Sequence, residues 1–283
     1  MKNKIYPCLW FDGQAKAAAE LYCSVFPNSK ITVDTDMVVN WELNGQKMMG
    51  LNGGPMFKPT PSVSFYVTCG TGEEVDALWE KLAENGAAMI PLGTYPWSEK
   101  YGWIKDRFDI TWQITLDKTR PMGQTITPSM LFTQDSHGKG NEAIDFYTGV
   151  FPDSHLNFKA LYEEGESTYA TTGMLKFSHF NLGSQSFIIM DAGFAQPYTF
   201  NEGISFVVDC DGQDETDYFW NALTEGGSES QCAWLRDKFG VSWQIVPRQL
   251  MQLMGDKDRE KAGRVMQAMM KMKKIIVADL ENA

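Results

Sequence analysis

Two stretches of equal length, "YGWIKDRFDITWQITL" (101–116) and "CAWLRDKFGVSWQIVP" (232–247), place Trp, Asp, Phe and a Trp-Gln pair at the same spacing. The repeated glutamine, Gln113 and Gln244, is a neutral amide that both donates and accepts hydrogen bonds. It can orient a bound molecule or tie strand ends together, but a transition metal wants imidazole, thiolate or carboxylate donors in number. The three histidines, His137, His155 and His179, fall in a loop, just after a helix and on a central strand, and no two have metal-site spacing. The five cysteines are odd in number and never spaced CxxC, which predicts reduced thiols in a cytoplasmic protein. Acidic pairs such as Glu73–Glu74 open a helix, where they meet its dipole; they are read as structural and not as an acid/base pair. No catalytic residue is assigned, and the side chains favour binding over bond-making.

The elements that must hold these residues are themselves repeated. "LYCSVFPNS" (21–29) returns as "FYTGVFPDS" (146–154), and "SFYVTCGTGEEVDALWEKLAENG" (64–86) as "SFVVDCDGQDETDYFWNALTEGG" (205–227). Block order is the same in both halves and only the spacers differ, so the chain is a duplicated domain, 1–120 and 125–250, followed by a helical extension over 251–283. Within each copy, apolar residues recur with helical spacing twice: Ala18, Leu21, Tyr22, Val25 and Val75, Leu78, Trp79, Leu82 in the first; Ala143, Phe146, Tyr147, Val150 and Thr216, Phe219, Trp220, Leu223 in the second. Each helix follows a short strand and precedes further strands. "LNGQ" offers an Asn-Gly hairpin, and Asp109 or Gly240 turns the last hairpin of each copy. The unit is strand, helix, then two or three strands, four times over: an α+β chain of paired βαβββ modules.

These modules, with "FY…VFP.S" on the first helix and the closing "DxFG-x-x-W-Q" hairpin, resemble the glyoxalase/bleomycin-resistance/dioxygenase superfamily, also called vicinal oxygen chelate. "PCLWFDG", "LNGGP" and the Ala268–Ile275 tail are similar to its PhnB-like group over nearly the whole chain. The resemblance implies that two modules curl into a cup with helices outside and the ligand on the concave face, one cup per copy. It also implies that the metal ligands of relatives correspond to Tyr6, Ser62 and Gln113 in the first copy and Thr127, Gly203 and Gln244 in the second. These are hydroxyls, amides and a glycine, so no metal and no other cofactor is expected, and the glutamine is read as a hydrogen-bonding group standing where relatives carry glutamate.

Strand alternation sorts the remaining residues. Val63, Phe65, Val67 and Cys69 suit a helix-packed face, which leaves Ser62, Ser64, Tyr66 and Thr68 for the cup. Tyr6, Cys8 and Trp10 face inward opposite Leu9 and Phe11; Thr127, Ser129 and Leu131 do the same in the second copy, with Gly203, Ser205, Val207 and Asp209. The expected ligand-binding set is therefore Tyr6, Trp10, Asn52, Tyr66, Gln113, Asp191, Ser205 and Gln244. Asn52 and Asp191 equally suit turn capping. Trp103 and Trp234 are read as core, and Trp79 and Trp220 as equivalent buried positions. The first cup, richer in rings with polar tips, is expected to bind better than the second.

Net charge is −11, which repels a polyanion and argues against nucleic acid. No apolar run approaches the ~20 residues that cross a bilayer, and the start lacks a secretory pattern; no membrane partner is expected. The terminal helix, capped by Asp256 or Asp258 and striped by Val265, Met269 and Met272, is expected to clamp across a domain or onto a second subunit, which leaves a homodimer open. The functional expectation is a small-molecule-binding protein with a ligand that includes aromatic ones. The alternatives are a superfamily isomerase, lyase or dioxygenase, and the ubiquinone-pathway methyltransferase label carried by the group. That label fits poorly, since "LNGGP" ends a hairpin strand and lacks the following helix of a nucleotide site.

Overall fold

The computed structural model describes residues 4–119 and 125–283. The first module holds β1 (Ile5–Phe11), α1 (Ala15–Val25), β2 (Lys30–Asp34), β3 (Val38–Leu43) and β4 (Gln46–Asn52). The second holds β5 (Val63–Cys69), α2 (Gly72–Ala83), β6 (Ala87–Tyr95), β7 (Ser98–Lys105) and β8 (Thr111–Leu116). The third holds β9 (Thr125–Phe132), α3 (Gly140–Val150), β10 (His155–Leu161), β11 (Leu175–Leu182) and β12 (Gln185–Asp191). The fourth holds β13 (Ile204–Cys210), α4 (Gly212–Thr224), β14 (Ser228–Glu229), β15 (Trp234–Arg236) and β16 (Ser242–Pro247). Turn chemistry follows the sequence: Asn44 and Gly45 both take positive φ between β3 and β4, as do Asp109 and Gly240 in the two closing hairpins.

The modules do not pair within a copy. One eight-stranded sheet, sheet I, runs β14-β15-β16-β13-β1-β4-β3-β2 and joins the first module to the fourth; the other, sheet II, runs β10-β11-β12-β9-β5-β8-β7-β6 and joins the second to the third. At each centre the two leading strands meet antiparallel, Tyr6 opposite Val207 in sheet I and Tyr66 opposite Thr127 in sheet II. The expectation of one cup per copy is thus corrected: each cup draws on both copies. Alternation tells which face of a strand is apolar, but not which leading strand lies beside it.

The helix-facing sides of both sheets share one core with α1–α4, including Leu9, Phe65, Met130 and Phe206. The repeated motif builds its centre. Asp106, on the β7–β8 turn of sheet II, accepts from Tyr22 Oη on α1 (2.7 Å), Trp112 Nε1 (2.8 Å) and the backbone N–H groups of Phe108 and Ile110 (2.8 and 3.1 Å). Asp237 repeats this with Tyr147 (2.7 Å), Trp243 (2.8 Å), Phe239 (2.9 Å) and Val241 (3.0 Å). Phe26 and Phe151 lie against the same tryptophans, with ring centroids 5.2 and 5.4 Å apart. Each cluster ties a helix resting on one sheet to a hairpin of the other, which is why the modules of a copy face each other across the helical layer. Trp220 is buried in its helix as expected; Trp79 is only half-buried and lies on Gly102, where a Cβ would stand 2.4 Å from its ring.

The last segment forms α5 (Arg248–Met254), α6 (Arg259–Met269) and α7 (Val277–Glu281). Asp258 caps α6, accepting from Glu260 N and Lys261 N. Val265, Ile275 and Leu280 form one buried cluster with Tyr6, Cys8, Val207 and Val246, all on the concave face of sheet I. Backbone bonds from Cys232 N to Met272 O (2.8 Å) and from Ala233 N to Lys273 O (2.9 Å) fasten the tail, and Gln213 clasps Ile275 O and Val277 N. The extension closes the cup of its own chain.

Replacing Asp106 or Asp237 by Asn puts an amide NH2 against two of the four donors and removes the charge. Each change should cost on the order of 2–4 kcal/mol in denaturant unfolding, whereas Tyr22→Phe, which removes one of four bonds, should cost about 1 kcal/mol. Leu280→Ala should lose about 2–3 kcal/mol by the same measurement; an unchanged midpoint would show that the tail does not seal sheet I.

Candidate functional site

On the concave face of sheet II the glutamine of the first motif is the hub of a polar floor. Gln113 Oε1 accepts from Tyr101 Oη (2.7 Å), while its Nε2 donates to Ser64 Oγ (2.8 Å) and reaches Ser129 Oγ at 3.5 Å. The residues converge because β8 lies between β7 and β5, with β9 next: Trp103 opposes Gln113, Gln113 opposes Tyr66, and Ser64 opposes Ser129. Burial drives the Tyr101 phenol well above its ordinary pKa, with the neighbouring phenols of Tyr66 and Tyr95 adding to it, so it remains a protonated donor.

Rings stand over this floor. Trp97 stacks on Tyr95 (5.1 Å) and meets Tyr101 edge-on (5.7 Å). Tyr101 neighbours Tyr66 (6.5 Å), Tyr66 meets Phe177 (5.9 Å), and Phe177 meets Phe158 (6.4 Å). Tyr66 on β5 and Phe177 on β11 are three strands apart in the sheet, a flat separation of about 14 Å. Their contact shows how far the sheet curls. Trp97 and Phe158, at the ends of the stripe, are more than half exposed. At the other side Trp103, Leu131 and Ala192 form a buried cluster with Met190, Tyr169 and Tyr198 packed on it.

The cup of sheet I has the same floor in outline. Gln244 Nε2 donates to Ser205 Oγ (3.0 Å), and Cys8, opposite Ser205, takes the place of Ser129. Burial raises the Cys8 thiol to about 12, although Gln244 and Ser205 partly offset it, so this thiol is not a nucleophile at neutral pH. Tyr6 donates to Asp209 Oδ1 (3.0 Å) beneath Lys47, whose Nζ lies 3.5 Å from the Tyr6 ring centroid. Trp10 donates to Gly54 O (2.7 Å) and meets Trp234 at 6.0 Å. Over this floor lies the tail.

The expected ligand-binding residues therefore divide. Tyr66 and Gln113 share the cup of sheet II; Tyr6, Trp10, Ser205 and Gln244 share that of sheet I. The "first cup" set was drawn from one copy and so spans both sites. Asn52 and Asp191 belong to neither. Asn52 Oδ1 accepts from Ala15 N at the start of α1 (3.0 Å), and Asp191 accepts from Gly138 N, Gly140 N and Leu175 N (2.9, 3.2 and 3.0 Å). Both lie on the helix side of their strands, in step with Gly50 and Ile189, and cap instead of lining a pocket. Trp103 is buried as expected of a core residue, in the Leu131 cluster on the concave side of sheet II. Tyr101, Phe177 and Tyr169 were missed; the parity of Tyr101 with Trp103 on one strand was the signal that could have found it. A crevice of about 270 Å³ opens elsewhere, between Ile5, Phe151, Leu182 and Phe219, but its Lys4 and Glu215 are paired at 2.7 Å and it holds none of the repeated polar groups.

The superfamily's divalent ion does not fit these residues. Gln113 has its carbonyl engaged by Tyr101, Ser62 and Thr127 offer neutral hydroxyls, and a Cβ at Gly203 would stand 2.4 Å from the backbone of Lys58. No group of three or more His, Cys, Asp or Glu side chains converges among the described residues. His137 Nε2 lies 2.8 Å from Ala192 O and its ring packs on Tyr169, while His155 begins the exposed edge strand β10.

Comparison with known proteins agrees with this architecture. The family model described as 3-demethylubiquinone-9 3-methyltransferase matches residues 3–115 and again 124–246. A PhnB protein from Bacillus cereus is 38% identical; the match covers 41% of this chain and 100% of that one, with a TM-score of 0.39. Glyoxalase I from Zea mays is 10% identical over 90% of this chain and 96% of its own, with a TM-score of 0.57, a likeness of fold alone. No curated protein matches. No helix among the described residues is long and apolar enough to cross a membrane. A double match spanning both copies places the chain in the family described as 3-demethylubiquinone-9 3-methyltransferase, with a fold like that of glyoxalase I.

Proposed function

We propose that this protein binds one small ring-bearing molecule in the cup of sheet II, without a metal, and that the cup of sheet I has been given over to the tail. The observation that carries the reading is the run of rings from Trp97 through Tyr101 and Tyr66 to Phe177 and Phe158, set directly against the Gln113–Ser64 floor. Small-molecule sites join an apolar wall to a few placed polar groups, and exposed large rings such as Trp97 and Phe158 at the ends of the stripe mark a surface suited to interaction. The sheet I cup has a matching floor, but Val265, Ile275 and Leu280 already cover it.

The methyltransferase description of the family gains no support from this geometry. Gly53 and Gly54 follow β4 and pass against the Trp10 ring into a loop, not into the helix N-terminus that a nucleotide phosphate would need. Family name and fold are shared by proteins with different chemistries, so the site has to carry the argument.

The test is a thermal-shift screen of ring-bearing metabolites and antibiotics, followed by calorimetry on the best compound. Tyr66→Ala should weaken it roughly three- to tenfold, from the ~0.5–1.5 kcal/mol that a ring contact contributes beyond buried area. Gln113→Ala should weaken it as well, and Gln244→Ala should leave it unchanged. Dependence on Gln244 in place of Gln113 would move the site to sheet I, and a screen with no hit would remove the reading. Elemental analysis of the purified protein should find no stoichiometric Ni, Zn, Fe or Mn; about one ion per chain would overturn the metal-free assignment.

A further inference from the structure

We propose that the ligand of the sheet II cup is an uncharged, flat ring system bearing a hydrogen-bond acceptor, and that Trp103 Nε1–H and Ser62 Oγ–H are the groups that read that acceptor. The inference rests on the cup of sheet II being the binding site and concerns what the site selects.

Two observations lead to it. The first is that two of the six buried side-chain polar atoms without a hydrogen-bonding partner among the described residues, Trp103 Nε1 and Ser62 Oγ, lie in this cup, on residues 6% and 0% exposed. Such atoms are uncommon in folded proteins, and each costs about as much as a lost hydrogen bond. Both are on the concave side. Trp103 alternates with Gly102 and Ile104, which face the helices, and Ser62 precedes Val63, which belongs to the helix-side core. Both also adjoin Leu131: Ser62 O accepts from Leu131 N at 2.7 Å, and the Trp103 ring belongs to the Leu131 cluster. The polar groups around them are already committed. Gln113 is held by Tyr101 and Ser64, Thr115 donates to Ser98 Oγ (3.0 Å), and Thr111 reaches Val63 O (3.4 Å). An indole N–H only donates, so its partner has to be an acceptor.

The second observation is charge. The cup-facing side chains from Ser62 to Thr68, Thr111 to Thr115, Thr127 to Leu131, Tyr101 to Trp103 and Ile188 to Met190 are all neutral, and burial keeps the Tyr101 phenol protonated; the titratable His179, in step with Phe177 on β11, lies farther out toward the β10 edge. An ionic ligand would leave water here without meeting a counter-charge, which is unfavourable. An uncharged carbonyl or ring nitrogen would give up far less hydration and gain the Trp103 and Ser62 donors. The Trp–Ser pair is particular to this cup, although Ser242 Oγ is also unpartnered on the concave face of sheet I. In sheet I the place of Ser62 is Gly203, packed against the Lys58–Pro59 backbone, and the place of Trp103 is the half-exposed Trp234.

Three bicyclic probes of similar size separate the possibilities by calorimetry: chromone, a neutral ring ketone; naphthalene, which has no acceptor; and 1-naphthoate, an anion. Chromone should bind best. Trp103→Phe, which keeps the ring, and Ser62→Ala should each weaken chromone about three- to tenfold, the range of one hydrogen bond, and leave naphthalene unchanged. 1-Naphthoate should bind at least tenfold more weakly than chromone. If 1-naphthoate matches chromone, or if chromone binding survives both substitutions undiminished while Tyr66→Ala weakens it, this inference is wrong and the sheet II site stands. If none of the three binds, or if binding ignores Tyr66→Ala, the site assignment itself falls and this inference with it. Thermal midpoints of both variants within a few degrees of the parent show that lost binding is not lost fold.

Discussion

A carboxylate taken out of water must be met by donors, and in this protein meeting it organises the whole chain. Asp106 and Asp237 are each almost fully buried and each accepts four hydrogen bonds, two from side chains and two from backbone N–H groups of their own turns. Burial pushes Asp237 up to about 6 and Asp106 in the same direction, while the donors pull back toward the charged form. Because one of the four donors comes from a helix on the opposite sheet, the hydrogen bonds can be completed only when the two sheets enclose the helical layer. The Tyr, Asp, Trp and Phe of the repeated motif are therefore one cluster, seen twice.

That constraint makes a near-symmetric scaffold, and the scaffold then supports two unlike cups. Both have Gln and Ser at the centre, from Gln113 with Ser64 and from Gln244 with Ser205. The difference comes from segments outside the repeat. The segment with Val265, Ile275 and Leu280 follows the last module and reaches the cup in which that module lies. The floor of sheet II is covered by rings instead, and those at the two ends of the stripe, Trp97 and Phe158, are exposed. Duplication thus leaves one floor that supports the fold of the tail and another whose aromatic rim meets solvent.

The repeated glutamine offers hydrogen bonds and no charge. An amide in hydrogen-bond contact with a phenol and a serine has neither the charge nor the free lone pairs that a divalent ion needs. Likeness to glyoxalase I in fold accordingly says nothing about lactone, thioester or ring-opening chemistry in this chain; the side chains on the concave face decide that.

Much of the architecture was legible in the residues alone, and the reason is periodicity. Helix and strand spacings, the Asn44–Gly45 and Asp109 or Gly240 turns, and the inward set of each leading strand are local properties, written within a few positions of one another. The inward parity of Gln113 against helix-side Trp112 was readable for the same reason. What lies beyond local reach was decided by tertiary structure: that β1 pairs with β13 and β5 with β9, that Tyr22 finds Asp106 across the helical layer, and that the tail fills one cup. Asn52 and Asp191 show the boundary well. Their types suited both a pocket and a cap, and only the position of a helix N-terminus within 3 Å or so of their carboxamide or carboxylate oxygens decided for the cap. Pairing between distant segments depends on shape and buried hydrogen bonding summed over many residues, and no single stretch of sequence carries that sum.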